Sequence, residues 1–140
     1  MKTLKTIKPL KRIALTLALI ALCSGARAEW TEIQKFEDGM RVFVDAATAR
    51  RNGDTAQVSH LVRWGEPQVE EGLSPYLSTV VLTSYDCLGK REKYLGSTSF
   101  AGAMGSGARI LADEDEADGW YSISTASMED KLWTIACAAK

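Results

Sequence analysis

A single histidine, His60, occurs among the 140 residues. That scarcity removes metal sites and catalytic relays built on histidine pairs. Cysteine is nearly as rare: Cys23, Cys87 and Cys137 fall in no C-x-x-C spacing, which excludes the common zinc-ribbon and dithiol redox motifs. Only three prolines are present and no Pro-, Gly- or Ser-rich linker divides the chain. No internal period repeats, so solenoid and propeller architectures are also excluded. The one largely apolar run, Ile13 to Leu22, would rise only about 15 Å as a helix, against roughly 30 Å of membrane hydrocarbon. No stable membrane span is expected.

What that run does fit is a secretory leader. Lys2, Lys5, Lys8, Lys11 and Arg12 precede it and Ala26-Arg27-Ala28 follows, which are the basic, apolar and small-residue parts of a signal peptide. The division expected is a signal peptide over 1–28 and a single domain over 29–140. Cys23 raises the alternative of an outer-membrane lipoprotein, but Leu22 stands where a lipidated cysteine requires a small residue. A periplasmic or secreted location follows. Residues 29–140 retain 11 of the 17 basic residues and all 18 acidic ones, a formal net charge of −7. Such a field repels nucleic acid and anionic membrane.

With Cys23 removed, Cys87 and Cys137 remain as a pair in an oxidising compartment, where a structural disulfide is the expectation. Neither has a neighbouring histidine to activate it as a nucleophile,.

The domain reads as mostly strands. Trp30–Phe36, a turn at Glu37-Asp38-Gly39 and Met40–Asp45 form a hairpin, and residues 45–51 form a turn or one helical turn,. Asn52-Gly53-Asp54 reverses the chain into Thr55–Trp64, where Val58, His60, Val62 and Trp64 share a face,. Gly65-Glu66-Pro67 is expected to break that strand. Tyr76–Cys87 is the longest β-prone run and should be central, Leu88-Gly89 turns the chain, and Lys90–Phe100 pairs back with unbroken alternation,. Trp120–Ile123 is a short last strand. Ser127 caps a terminal helix whose Met128, Leu132, Ile135 and Ala136 make an inward stripe beside Trp133,.

Few residues carry a functional suggestion. His60 reads as a structural histidine in the sheet, with metal or general-base duty as the alternative. Gly102-Ala103-Met104-Gly105-Ser106-Gly107 could form an anion nest, but without a following Lys-Ser/Thr it reads as a sharp turn. Residues 113–118 are acidic yet lack the calcium-loop register and its central glycine,. Arg50, Arg51, Lys90, Arg91 and Lys93 are candidates for a local basic interaction patch, against a plainer reading as solvated edge or turn residues. No cofactor is implied.

Trp30, Val42-Phe43-Val44-Asp45 with a basic turn after it, Tyr76-Leu77-Ser78, Asp86-Cys87, Met104-Gly105-Ser106-Gly107, Trp120 and Leu132-Trp133 to Cys137 occur in this order. In these motifs and their spacing to the cysteines, residues 30–137 resemble the surface-adhesin protein E family of bacterial exported proteins. The resemblance implies an antiparallel sheet with a disulfide-attached C-terminal helix. It also implies binding to host extracellular-matrix or envelope proteins and a capacity to form a homodimer. The fold expected from the residues is α+β, an antiparallel sheet of about five or six strands with a disulfide-tethered C-terminal helix. The function expected is a non-catalytic, adhesin-like interaction module of the envelope. The alternative is a periplasmic hydrolase whose active-site groups converge from distant loops.

Overall fold

The computed structural model describes residues 28–140. The leader expected over 1–28 therefore lies, except for Ala28, outside the described residues. Eight strands and one α-helix follow in order: β1 Thr31–Lys35, β2 Arg41–Val44, β3 Arg50–Asn52, β4 Thr55–Gln68, β5 Tyr76–Asp86, β6 Arg91–Phe100, β7 Arg109–Asp113, β8 Tyr121–Ser122 and α1 Met128–Cys137. Six strands run β1-β2-β4-β5-β6-β7 in one antiparallel sheet, while β3 pairs with β4 and β8 with β6.

Two short strands share each of two longer edges. Along β4, β3 pairs with Thr55–Gln57 and β2 with His60–Arg63. Between those pairings the Ser59 N–H donates to Thr48 Oγ1 at 3.1 Å. Thr48 belongs to the 3-10 turn Ala46–Thr48, which Asp45 caps by accepting from the Ala47 N–H. A buried N–H left in that gap would cost about 1–3 kcal/mol, so the turn completes the edge. β6 is arranged likewise, with β8 at Arg91–Glu92 and β7 at Ser97–Phe100. There Ala117 N–H donates to the Tyr94 carbonyl between them.

The structure differs from the expected strands in four places, the first being β3, where Arg50–Asn52 pairs with β4 at the end of the segment expected as a turn. β4 does not stop at Gly65-Glu66-Pro67 but continues irregularly to Gln68, which pairs with Tyr76. Gly65 is seated against the first hairpin turn, where a side chain would collide with the Asp38 carbonyl oxygen. Pro67, with no N–H to offer, falls in the register shift between Arg63 and Gln68, where no ladder bond is lost,. The alternation of β6 is broken by Leu95. Leu82 faces Gly96 while Thr83 faces Tyr94, so Glu92 and Tyr94 lie on one face whereas Thr98 and Phe100 lie on the other. Finally, β7 was not expected at all, because Arg109-Ile110-Leu111-Ala112-Asp113 is short and half-exposed.

Helix α1 covers one face, lying against β4 and reaching β1, β3 and β5. Its Leu132 and Ala136 are fully buried with Val44, Ala56, Val58, Tyr85 and Ile123. This is the main core, and its helical share comes from the expected stripe. Ser127 accepts from the Asp130 N–H at 3.1 Å, and Asp130 in turn accepts from the N–H of Ala126, the residue before the cap, at 2.8 Å, so one free amide of the first turn and the amide that enters the cap are both satisfied.

The other face has a smaller core that the glycine-rich loop covers. Phe43 and Leu61 are buried there side by side. Gly105, at φ +67°, approaches so closely that a Cβ would sit 3.4 Å from both Leu61 and Val80. The loop is held by Ser78, wholly buried, whose Oγ donates to the Gly102 carbonyl at 2.5 Å and accepts from the Gly105 N–H at 2.9 Å. Ser78→Ala leaves both backbone groups unpaired and is expected to cost about 2 kcal/mol, read as a lower urea midpoint with unchanged slope. A loss indistinguishable from zero would refute this role.

Candidate functional site

Cys87 and Cys137 are joined, with sulfurs 2.04 Å and Cα atoms 5.7 Å apart. The bridge ties the last turn of α1 to the residue after β5. Non-covalent contacts converge on the same helix. Trp133 Nε1 donates to the Asp86 carbonyl at 3.0 Å, and Lys131 Nζ reaches the Ile33 carbonyl at 3.2 Å. The helix carries no basic residue in its last turn. Arg51 supplies one from β3, donating through Nη1 to the Cys137 carbonyl at 2.6 Å, where cationic charge opposes the negative helix end.

The basic candidates do not form one continuous patch. Arg50 faces Gln57, Gln57 faces Ser84 and Ser84 faces Lys93, so Arg50 and Lys93 project from the face away from α1, as does Arg91. Arg51 and Lys90 meet the helix instead. Lys90 pairs with Asp130 at 2.9 Å and lies 5.4 Å from the Trp133 ring centroid. Arg91 pairs with Asp86 at 2.5 Å and lies 5.8 Å from the Trp120 ring. Lys93 pairs with Glu116. Both carboxyls are held below the usual aspartate range. For Asp86 the main cause is the Gly89 N–H followed by Arg91, and for Asp130 it is Lys90 followed by the Ala126 N–H. Arg50 donates only to backbone carbonyls, those of Ala47 and Ala49 at 2.7 and 2.8 Å. Of the five, Arg50 and Arg51 have no ion-pair partner among the described residues.

The other suggestive motifs are structural. Two amides of the glycine-rich loop are occupied within the protein, Gly102 N–H by the Ser106 carbonyl and Gly105 N–H by Ser78. In the acidic stretch, Asp113 accepts from Tyr94 and from the Asp115 N–H, while Glu116 holds Lys93. No three His, Cys, Asp or Glu side chains converge as a metal site among the described residues.

A crevice of about 220 Å³ opens between the first turn of α1 and the sheet, lined by His60, Glu92, Tyr94, Tyr121, Met128 and Glu129 among others. His60 sits in the row Val44, His60, Val81. It is 7% exposed, and its Nδ1 has no hydrogen-bond partner. Burial depresses its pKa to about 4, the opposing attraction of Glu129 being smaller, so the imidazole is neutral at pH 7. Glu92 titrates above the ordinary glutamate range, chiefly through burial and secondarily through repulsion by Glu129. Residues 60, 92 and 129 come from β4, β6 and α1. Only the register and the helix docking bring them together, so no local sequence pattern marks the site.

The fold and this distribution of side chains define a class: a single antiparallel sheet with a bridged terminal helix, both described cysteines consumed by the bridge and the polar candidates spread over both faces of the sheet. The particular family follows from comparison with known proteins. The family model of surface-adhesin protein E matches residues 30–138, and the chain belongs to that family. Crystal form II of Haemophilus influenzae protein E is similar with a TM-score of 0.64 at 12% identity, covering 80% of this chain and 89% of the other. Another structure of Haemophilus influenzae protein E gives 0.63 at 13% identity, with coverages of 80% and 86%. Protein E from non-typeable Haemophilus influenzae gives 0.60 at 12%, with 82% and 79%. At these identities the likeness shows the shared fold. A search of curated proteins returned no match. Family membership marks an exported protein of surface-adhesin type and supports an adhesin-like module, with nothing favouring the hydrolase alternative. No helix among the described residues is long and apolar enough to cross a membrane.

Proposed function

We propose that residues 1–28 are removed on export and that residues 29–140 act in the periplasm or outside the cell as a non-catalytic, protein-binding module. The observation that carries this reading is the family match over residues 30–138. The disulfide-bridged α+β body supports it, because a covalent staple suits a domain working in an oxidising compartment,. The partner class is host extracellular-matrix or envelope protein. Among the basic candidates on the face away from α1, Arg50 is the natural leading contact, since its charge meets no carboxylate while Arg91 and Lys93, on the same face beyond β4 and β5, are partly neutralised. An acidic protein surface would recruit those three arms together.

The test is capture of purified matrix proteins by immobilised protein with its bridge intact, compared with reduced and unfolded protein. Binding is expected to require the fold and to fall about tenfold, or about 1.4 kcal/mol, in the double variant Arg50→Ser/Lys93→Ser. Equal capture by the unfolded chain, or absence of capture together with turnover in a hydrolase screen, would overturn the reading.

A further inference from the structure

Helix α1 covers one face of the sheet, while on the opposite face the glycine-rich loop roofs only the part around Leu61. Beyond the loop an apolar strip stays open. Leu82 stands on β5, a strand flanked on both sides, and is nevertheless 39% exposed. Its cross-strand neighbours there are Ser59 and Gly96, too small to shelter it. Position 96 can carry nothing larger, because a Cβ would meet the Asp113 carbonyl oxygen at 2.8 Å. Two hollows meet along the strip at Val80, one of about 550 Å³ lined also by Trp30 and Met104, the other of about 280 Å³ beside Leu82 and Leu95. Large apolar side chains left exposed together mark an interaction surface.

Position and charge restrict what covers this strip. It crosses β4, β5 and β6, whose backbone groups are already paired with one another in the ladders. An extended segment laid across them would press its own N–H and carbonyl groups against apolar side chains without partners, since only a free sheet edge offers them. A helix closes its own hydrogen bonds and need offer only side chains. From Trp30, just before β1, to Leu95 on β6 the strip spans four strand spacings, about 19 Å, the length of about 13 helical residues. One long side is rimmed by cations. Arg50, Gln57, Ser84 and Lys93 form the row two residues along β5 from Leu82, and Arg50 has no ion-pair partner among the described residues. Asp113 and Glu114 stand at the β6 end, where the positive N-terminus of a helix is favoured.

We propose that this open face binds an amphipathic helix of a partner protein, with its apolar stripe on Val80 and Leu82 and an acidic flank along Arg50 and Lys93. This rests on the protein-binding reading above and gives the partner's segment a shape and a charge pattern.

The probe is a lactam-stapled helical peptide of about 14 residues, with leucines at i, i+3, i+4 and i+7, glutamates along one flank and a C-terminal fluorophore. Two control peptides carry the leucines out of register, or lysines in place of the glutamates. Fluorescence anisotropy with the exported protein, its disulfide intact, is expected to show saturable binding of the first peptide and at least tenfold weaker binding of either control. Leu82→Ser, and separately Arg50→Ser/Lys93→Ser, should each weaken the first peptide at least tenfold with little change in melting temperature, because these side chains are exposed or half-exposed. The same peptide, unlabelled, should displace captured matrix protein. Equal binding of a control peptide, or no saturable binding of the first, would overturn the inference. So would laurate binding that Leu82→Ser abolishes while no peptide binds, which would give the strip to an acyl chain. A dimer in ultracentrifugation that Leu82→Ser dissociates would give it to a second copy and likewise overturn the inference. Matrix capture that persists undiminished in Leu82→Ser and under saturating peptide would remove this inference alone, whereas absence of capture by folded wild type would remove the protein-binding reading with it. The contrast between peptides on wild type decides the matter even if a variant fails to fold.

Discussion

Replacing both Cys87 and Cys137 with serine is expected to lower the unfolding free energy by about 4 kcal/mol. The two cysteines are 50 residues apart in sequence, and releasing a loop of that length restores about this much conformational freedom to the denatured chain. Single domains have only about 5–15 kcal/mol of net stability, so the variant sits near the margin. The helix should remain docked in the cold, because Leu132 and Ala136 are buried, Trp133 and Lys131 bond across to strands, and Arg51 on β3 donates back to the helix end. Urea unfolding of the double variant should show the midpoint shift, and reduced wild type should match it. A loss below about 1 kcal/mol would mean that the denatured chain is already compact enough for the bridge to matter little.

Acid is expected to destabilise the protein well before its aspartates titrate. His60 has an ordinary pKa of 6.5 when exposed and about 4 in the fold. Between those values the unfolded chain binds a proton that the folded chain does not. Stability is therefore full above pH 6.5 and falls as pH drops toward 4, and the shift corresponds to about 3 kcal/mol over that window. Glu92 acts in the opposite sense. Its raised pKa means that protonation relieves a cost of the folded state, which softens the net slope. Asp86 and Asp130, held low, add their own loss only further down, below the ordinary aspartate value of 3.8. Thermal melts of wild type and His60→Gln across pH 4 to 6.5 check this. The variant should lose most of the slope, and parallel profiles would remove His60 as its source.

Legibility in the sequence followed the range of the interactions involved. The first hairpin, the Asn52-Gly53 reversal and the Ser127 cap depend on neighbours a few residues away, and the structure has all three. The inward stripe of α1 and the pairing of Cys87 with Cys137 were legible because periodicity and compartment each leave one plain solution. Pro67 misled because a proline normally ends a strand, yet here the ladder is already interrupted and Gly65 packs on Asp38. The slip at Leu95 was invisible, since Leu95-Gly96 is compatible with straight alternation until a partner strand sets the register. The second small core was missed for the same reason. Leu61 and Phe43 alternate with the residues of the main core, and only the loop arriving at Gly105 encloses them. Crevice residues His60, Glu92 and Glu129 share no local pattern, so their assembly belongs wholly to tertiary structure.

The bridge also makes a closed covalent ring of everything from Cys87 to Cys137, and that ring includes β6, β7, β8 and α1. Its exposed acidic stretch at Glu114-Asp115-Glu116 is the kind of surface loop that proteases nick. A cut there opens the ring without severing it, so the two fragments stay linked through sulfur. The protein can thus be clipped once by a protease and still remain a single molecule.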